Sequence, residues 1–324
     1  MQFSSKNTYI HFLNNTNIEI PIFFQPWYLD IVCSNGKWDV IVCEDNSGFV
    51  LGFWVYYTTK KNWQPVITMP PFTPYAGIWI CSLPSKKTVT KNKKTTSIIR
   101  HLIERFPKDK TFYSQSFHYS FQNCLPLYWK KYIQTVRYTF YIDKLQDWSI
   151  KDIASNVRNI IKKASTNLHY EVSEDVEVLY KLFKQTIEAK KINLSFSQEL
   201  FIELDNAVVK NSERRIIIIK DELGSIHAAT YTIIDKDCAY LILLGSNLTT
   251  RHNGAASLAI YHSILEVQPL VKHFDFEGSM LESMFGLFAG FGGELKPYYR
   301  FYKAKNIFWD ILYRIKNHYD KNIR

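Results

Sequence analysis

The chain has 324 residues, 46% of them hydrophobic and 16% aromatic, and a formal net charge of +10. That length exceeds one average core and that apolar content excludes a disordered chain. The positive excess points to an anionic partner: a phosphate-bearing ligand, a nucleic acid or an acidic membrane surface. The five cysteines are scattered, with no C-x-x-C pair, which argues against a disulfide framework and a zinc site.

The opening MQFSSKNTYIHFL has no basic head before an apolar stretch, and no window reaches the about 18 apolar residues of a membrane span. A cytoplasmic protein without a transmembrane segment is expected, its basic surface leaving peripheral membrane contact open. From Lys37, KWDVIVCEDNSGFVLGFWVYY reads as a strand, a turn at Asp45 to Gly48 and a returning strand. PFTPYAGIWI, from Pro71, is rich in proline and aromatics; it either lines a cleft, with Tyr75 against substrate, or is a rigid packed loop. SIIRHLIERF from Ser97 reads as a helix leading to KTFYSQS at Lys110, and CLPLYWKKYIQTVRYTFYID from Cys124 as a short helix, a bend and an aromatic strand.

The same sequence of elements then recurs. A hairpin starts at Arg214 (RRIIIIKDELGSIHAATYTII), a helix at Ser257 (SLAIYHSILEV) leads to KHFDFEGS at Lys272, and GLFAGFGGELKPYYRFYKAK from Gly286 closes as a short helix, a bend and an aromatic strand. This predicts a tandem duplication of one α/β unit, residues 1–147 supporting and residues 148–324 catalytic, with the boundary between Leu145 and Ile150. The copies differ at one place. Where the second has Asp275, Glu277 and Gly278, the first has Tyr113, Gln115 and Ser116.

Four patterns in or near the second copy carry candidate chemistry. SIKDIASNVRNIIKKASTN, from Ser149, predicts a helix that brings Arg158, Lys162 and Lys163 together at one-turn spacings, either as an anion-binding face or as a solvated basic one. The strand AYLILLGS from Ala239 runs into Arg251, His252, Asn253, Gly254, Ala255 and Ala256, a glycine-containing loop opening a helix; such a loop offers backbone N–H groups and a positive dipole end to a pyrophosphate, although an ordinary strand-to-helix loop reads the same way. Asp275 and Glu277 alternate with Phe274 and Phe276, so a strand there sets both carboxylates on one face, as an acid–base pair or as a solvated end. Tyr298 and Tyr299 follow Pro297 on the last strand, as proton donors or as packing. No histidine spacing suits a metal, and no nucleophile elbow or phosphate-binding P-loop occurs.

Taken together, QPWYLDIV from Gln25, MPPFTPYAGIWI from Met69, VRNIIKKA from Val157, the strand and helix through Arg251 to Glu266, and FDFEGS with FGGELKPYY resemble the FemAB-like branch of the GNAT acyltransferase superfamily over nearly the whole chain. The resemblance implies an α/β fold with mixed sheets, built as two tandem GNAT-like domains. It implies acetyl-CoA or another acyl-CoA as donor, its pyrophosphate on residues 251–256, with no metal. Asp275 or Glu277 would orient or deprotonate an acceptor amine, and Tyr298 or Tyr299 would protonate the leaving thiolate. Arg158, Lys162 and Tyr75 would hold a small-molecule or nucleotide-linked acceptor, such as a polysaccharide or envelope precursor. Fem enzymes with this double fold instead move amino acids from aminoacyl-tRNA to peptidoglycan precursors, so tRNA is the alternative donor carrier. This chain lacks their coiled-coil insertion, and RHNGAA is looser than the Q/R-x-x-G-x-G/A loop of ordinary GNAT enzymes. A third reading is a binding protein on a GNAT scaffold without catalysis.

Overall fold

A computed structural model describes residues 5–311 apart from 62, 82–86, 190–193, 195, 251, 279 and 281. In chain order the first elements are α1 (Ser5–Asn15), α2 (Pro26–Val32), β1 (Lys37–Glu44), β2 (Val50–Lys61), β3 (Gln64–Thr68), β4 (Gly77–Ile80), α3 (Thr88–Arg105), β5 (Phe112–Ser116), α4 (Leu125–Trp129) and β6 (Ile133–Ile142). They are followed by α5 (Ser155–Ala164), β7 (Leu168–Ser173), α6 (Val176–Ala189), α7 (Gln198–Asn211), β8 (Glu213–Asp221), β9 (Ile226–Ile234), β10 (Cys238–Ser246), α8 (Ala255–Val267), β11 (His273–Asp275), α9 (Glu282–Ala289) and β12 (Glu294–Ala304). The mixed α/β class expected from the sequence is the class observed. No helix among the described residues is long and apolar enough to cross a membrane.

Contacts divide the described chain into two units. One takes the residues up to Arg137 and those from Pro297 onward, and the other takes Tyr138–Lys296. The boundary expected at 147/148 would leave all of β6 in the first unit and all of β12 in the second. Each strand instead changes unit along its length, because β12 pairs antiparallel with β5 (Arg300 opposite Ser116) while β6 pairs antiparallel with β11 (Asp275 opposite Tyr141).

In the first unit the strand order is β1-β2-β3-β5-β12, with β4 also on β2. The edge of β2 is shared: β3 pairs with Tyr57–Lys61 and β4 with Gly52–Val55. The proline-rich segment between β3 and β4 leaves the sheet and returns. In the second unit the order is β6-β11-β10-β9-β8-β7, and the single strand β10 runs along β9 from Ile234 to Ala228. The two hairpins turn alike. Asp45 Oδ1 accepts the N–H groups of Ser47 (2.9 Å) and Phe49 (3.0 Å) ahead of Gly48 at φ +80°, and Asp221 Oδ1 accepts those of Leu223 (3.0 Å) and Ser225 (2.8 Å) around Gly224 at φ +80°. An aspartate accepting nearby backbone N–H groups and a glycine free to take positive φ are what such a turn requires.

Each unit has its own core. Trp54, Ile99, Leu102, Phe117 and Phe301 centre the first; Ile217, Ala228, Leu258, Ile264, Phe274, Phe276 and Phe291 centre the second. Each large apolar side chain so buried contributes about 1.5–3 kcal/mol before conformational entropy is charged against it. In the second unit the small Ala228 on β9 lets α8 lie close to the sheet, where Thr230 and Ser263 share a buried hydrogen bond of 2.6 Å.

Candidate active site

The second unit contains a wedge between parallel strands. β10 pairs with β11 only at Cys238, Ala239 and Tyr240, opposite His273, Phe274 and Asp275. Beyond Tyr240, β10 continues to Ser246 along β9, with a register shift between Leu241 and Leu243, while β11 stops at Asp275. The stop is built into the chain. Phe276 N–H donates to Phe140 O (3.0 Å), after which Glu277 at φ +56° and Gly278 at φ +53° turn the backbone out of the strand. A Cβ on Gly278 would lie 2.2 Å from Tyr138 O and 2.8 Å from Thr139 Cα, so glycine is needed for space as well as for φ.

Asp275 holds this turn. Its side chain is 0% exposed; Oδ1 accepts the Glu277 N–H at 2.8 Å and also the Thr139 hydroxyl. A glutamate in the left-handed region costs about 1–2 kcal/mol, and such a conformation persists only where its surroundings fix it. The expectation that Asp275 and Glu277 share one face of a strand is therefore corrected. The strand ends at the first carboxylate, and the second is aimed by a backbone kink. Phe274 and Phe276 both enter the core, 4.9 Å apart.

Glu277 Oε1 is sealed from solvent and has no hydrogen-bond partner among the described residues, although the residue as a whole is partly accessible. Burial, followed by the neighbouring Asp275 charge, pushes this carboxyl well above the usual carboxylate range. Lys296 lies in the same unit with its ammonium 3.7 Å from the centre of the Tyr141 ring. Burial lowers its pKa, and Asp143 and Asp275 counter that shift. Burial, then Asp275, also pushes the Cys238 thiol up. Thr139, Tyr141 and Lys296 were not singled out from the sequence. Thr139 is 136 positions from Asp275 and carries no motif that would mark it.

The loop after β10 is held by side chains. Asn253 Oδ1 accepts the Ala255 N–H (3.0 Å), and its Nδ2 donates to His227 Nδ1 (2.7 Å). Because an amide nitrogen only donates, Nδ1 is the acceptor, and the His227 proton sits on Nε2, facing Asp221 Oδ2 at 3.0 Å. The hydrogen bond from His227 is the largest of the influences that hold the Asp221 carboxyl low. Gly254, at φ +85°, caps α8; a Cβ there would meet Ile160 Cγ2 at 2.8 Å and Ala164 Cβ at 3.2 Å. Ala255 is buried, Ala256 half-buried and His252 exposed, while Arg251 lies outside the described residues. The Asn253 side chain is thus committed to the loop, and the backbone N–H groups of Ala256 and Ser257 head the helix.

Helix α5 begins at Ser155, not at Ser149. Ser149 and Asp152 form a capping box on a 3₁₀ turn, and Ala154 is extended at ψ 141°, so the helix starts afresh after it. Val157, Ile161 and Ala164 face the core, and Lys162 is exposed. Arg158 Nη1 donates to the carbonyls of Lys151 (3.2 Å) and Ile150 (3.4 Å), satisfying that turn.

Tyr75, Tyr298 and Tyr299 belong to the first unit. Tyr75 is 0% exposed and meets Phe23, His118, Tyr119 and Tyr298 edge to face. The Tyr298 hydroxyl accepts the Arg137 Nε–H at 3.2 Å. Tyr299 packs on the first core beside Phe301, and its carbonyl accepts the Phe117 N–H at 2.8 Å. Among the described residues no group of His, Cys, Asp and Glu side chains is placed to hold a metal ion.

No protein-family model matches the chain, and no curated protein matches it in sequence. Solved structures do match. FemX aligns over 92% of this chain and 96% of its own at a TM-score of 0.61 and 11% identity. A tandem GNAT protein from the clavulanic acid biosynthesis pathway aligns over 93% of both chains at 0.54 and 9%. The fold is the FemAB-like branch of the GNAT fold. L-PGS from Bacillus licheniformis aligns over 100% of both chains at 0.53 and 11%. At these identities the likeness is one of fold, and the chemistry must be argued from the side chains.

Proposed function

We propose that the chain is an N-acyltransferase, the product of a tandem duplication, in which the second unit carries the reaction. The observation that carries this reading is the parting of β10 from β11 at the Asp275 turn, followed directly by Glu277, whose Oε1 has no hydrogen-bond partner among the described residues and whose carboxyl is pushed by burial well above the usual range. An acyl-CoA donor would lie along the unpaired edge of β10, its pyrophosphate at the start of α8. The acceptor amine attacks the thioester carbonyl carbon, the C–N bond forms as the C–S bond breaks, Glu277 takes the amine proton, and coenzyme A leaves as the thiolate, which is protonated from solvent. A carboxyl raised toward the working pH suits that transfer better than an ordinary one. Asp275 positions Glu277 and has no chemical step of its own. Arg158 and Lys162 on α5 suit an anionic acceptor, such as a nucleotide-linked sugar or an envelope precursor. The reading assigns no step to Tyr75, Tyr298 or Tyr299.

Thiol release from acetyl-CoA and longer acyl-CoAs, followed with a panel of amine acceptors, tests the reading. Wild-type turnover should fall about 10²–10⁴-fold in Glu277→Gln, with folding intact. If calorimetry detects no binding of any acyl-CoA, the donor assignment fails. The excess of basic residues favours one second reading, an aminoacyl-tRNA donor of the Fem type; it requires tRNA binding that weakens steeply as salt rises.

A further inference from the structure

The first unit contains a cavity that the acyl-transfer reading does not use. It has a volume of about 390 Å³ and is walled by the end of α3, the loop into β5, the turn into β6 and the end of β12. Lys108, Lys110, Lys130, Lys303 and Lys305 line it, against Glu104 as the one acidic lining residue. Lys110 is paired with Asp109 at 2.8 Å, whereas Lys108, Lys130 and Lys305 make no ion pair among the described residues. Lys303 Nζ donates to Lys130 O (2.7 Å) and stands 4.9 Å from the centre of the Tyr132 ring. Burial, then the charges of Lys130 and Lys108, lowers its pKa, so these cations lie close enough to repel one another.

The rings of Phe106, Tyr113 and Tyr132 line the cavity beside these lysines, Tyr113 meeting each of the other two edge to face with ring centres 5.3 Å apart. Ammonium groups only donate, so a ligand rich in acceptor oxygens and negative charge complements every polar group but Glu104. A single orthophosphate would leave most of the lysines unmatched, and the volume falls in the range of about 300–1,000 Å³ usual for small-molecule sites.

We propose that this cavity binds a small ligand carrying a pyrophosphate group, held by the lysines. Calorimetric titration of the full chain with inorganic pyrophosphate tests it. The expected result is saturable one-to-one binding that sulfate at equal ionic strength does not displace. Affinity should fall at least about tenfold in the double variant Lys108→Gln/Lys305→Gln and about threefold or more in Lys130→Gln. A thermal melt of each variant checks that the fold is retained. The proposal is overturned by absence of pyrophosphate binding, by unchanged affinity in the double lysine variant, or by an RNA hairpin binding at these lysines without competition from pyrophosphate.

Discussion

Gln115 in the first unit and Glu277 in the second occupy matching places: each follows a helix and lies on or just beyond a strand that pairs parallel on one side and antiparallel on the other. Their surroundings are opposite. β5 runs unbroken to Ser116, and Gln115, 0% exposed, is fully used: Oε1 accepts from Trp54 Nε1 (2.9 Å) and Nε2 donates to Val55 O (3.1 Å). β11 breaks at Asp275, and Glu277 is turned aside with an oxygen, Oε1, that has no hydrogen-bond partner among the described residues. The same fold thus supports a closed position and an open one, and the difference comes from one kink together with the chemistry of one side chain. A neutral amide that satisfies two buried groups stabilises its unit; a carboxyl left without a partner does not stabilise its own unit and is available for reaction.

A reciprocal exchange tests this contrast most strongly. Glu277→Gln should abolish nearly all turnover without lowering the unfolding free energy, and Gln115→Glu should lower the unfolding free energy without changing turnover. Gln115→Glu removes the amide donor to Val55 O and is expected to cost about 1–3 kcal/mol by urea unfolding. If both substitutions affect only stability, the open position has no function. Gly278→Ala is expected to cost about 3 kcal/mol or more, since a positive φ and a 2.2 Å approach to Tyr138 O act together. Ser116→Ala, at the matching place in the unbroken strand, should cost far less. The smallest effect is expected from Asn253→Ala, which loses the cap on Ala255 N–H and should cost about 1 kcal/mol. Its signature is weaker acyl-CoA binding that exceeds the loss of stability.

Much of the architecture is legible in the sequence because it is local. The Asp45–Gly48 and Asp221–Gly224 turns, the helix running to Val267 and the short final helices all follow from neighbours within a few positions. The kink at Glu277 is not legible. Glutamate is not a usual left-handed residue, and it is held there by Asp275, which in turn is held by Thr139 from a distant strand. The start of α5 is obscured for a different reason: Ser149 and Asp152 carry a helix-capping signature that is spent on a single 3₁₀ turn. The exchange of β6 and β12 between units depends on which strand edge each finds, and strand pairing at that separation leaves no periodic trace.

The pH dependence follows from the direction of the Glu277 shift. A carboxyl with a folded pKa above its unfolded value favours the native state while protonated, and that contribution is lost as pH rises through the folded pKa. Stability should therefore decline with rising pH across that interval as turnover rises, and Glu277→Gln should flatten both slopes. The most direct test is a ¹³C-carboxyl NMR titration of Glu277 in the full chain. The account predicts a midpoint well above the ordinary glutamate value of about 4.3, and a Glu277 that titrates in the ordinary range would contradict it.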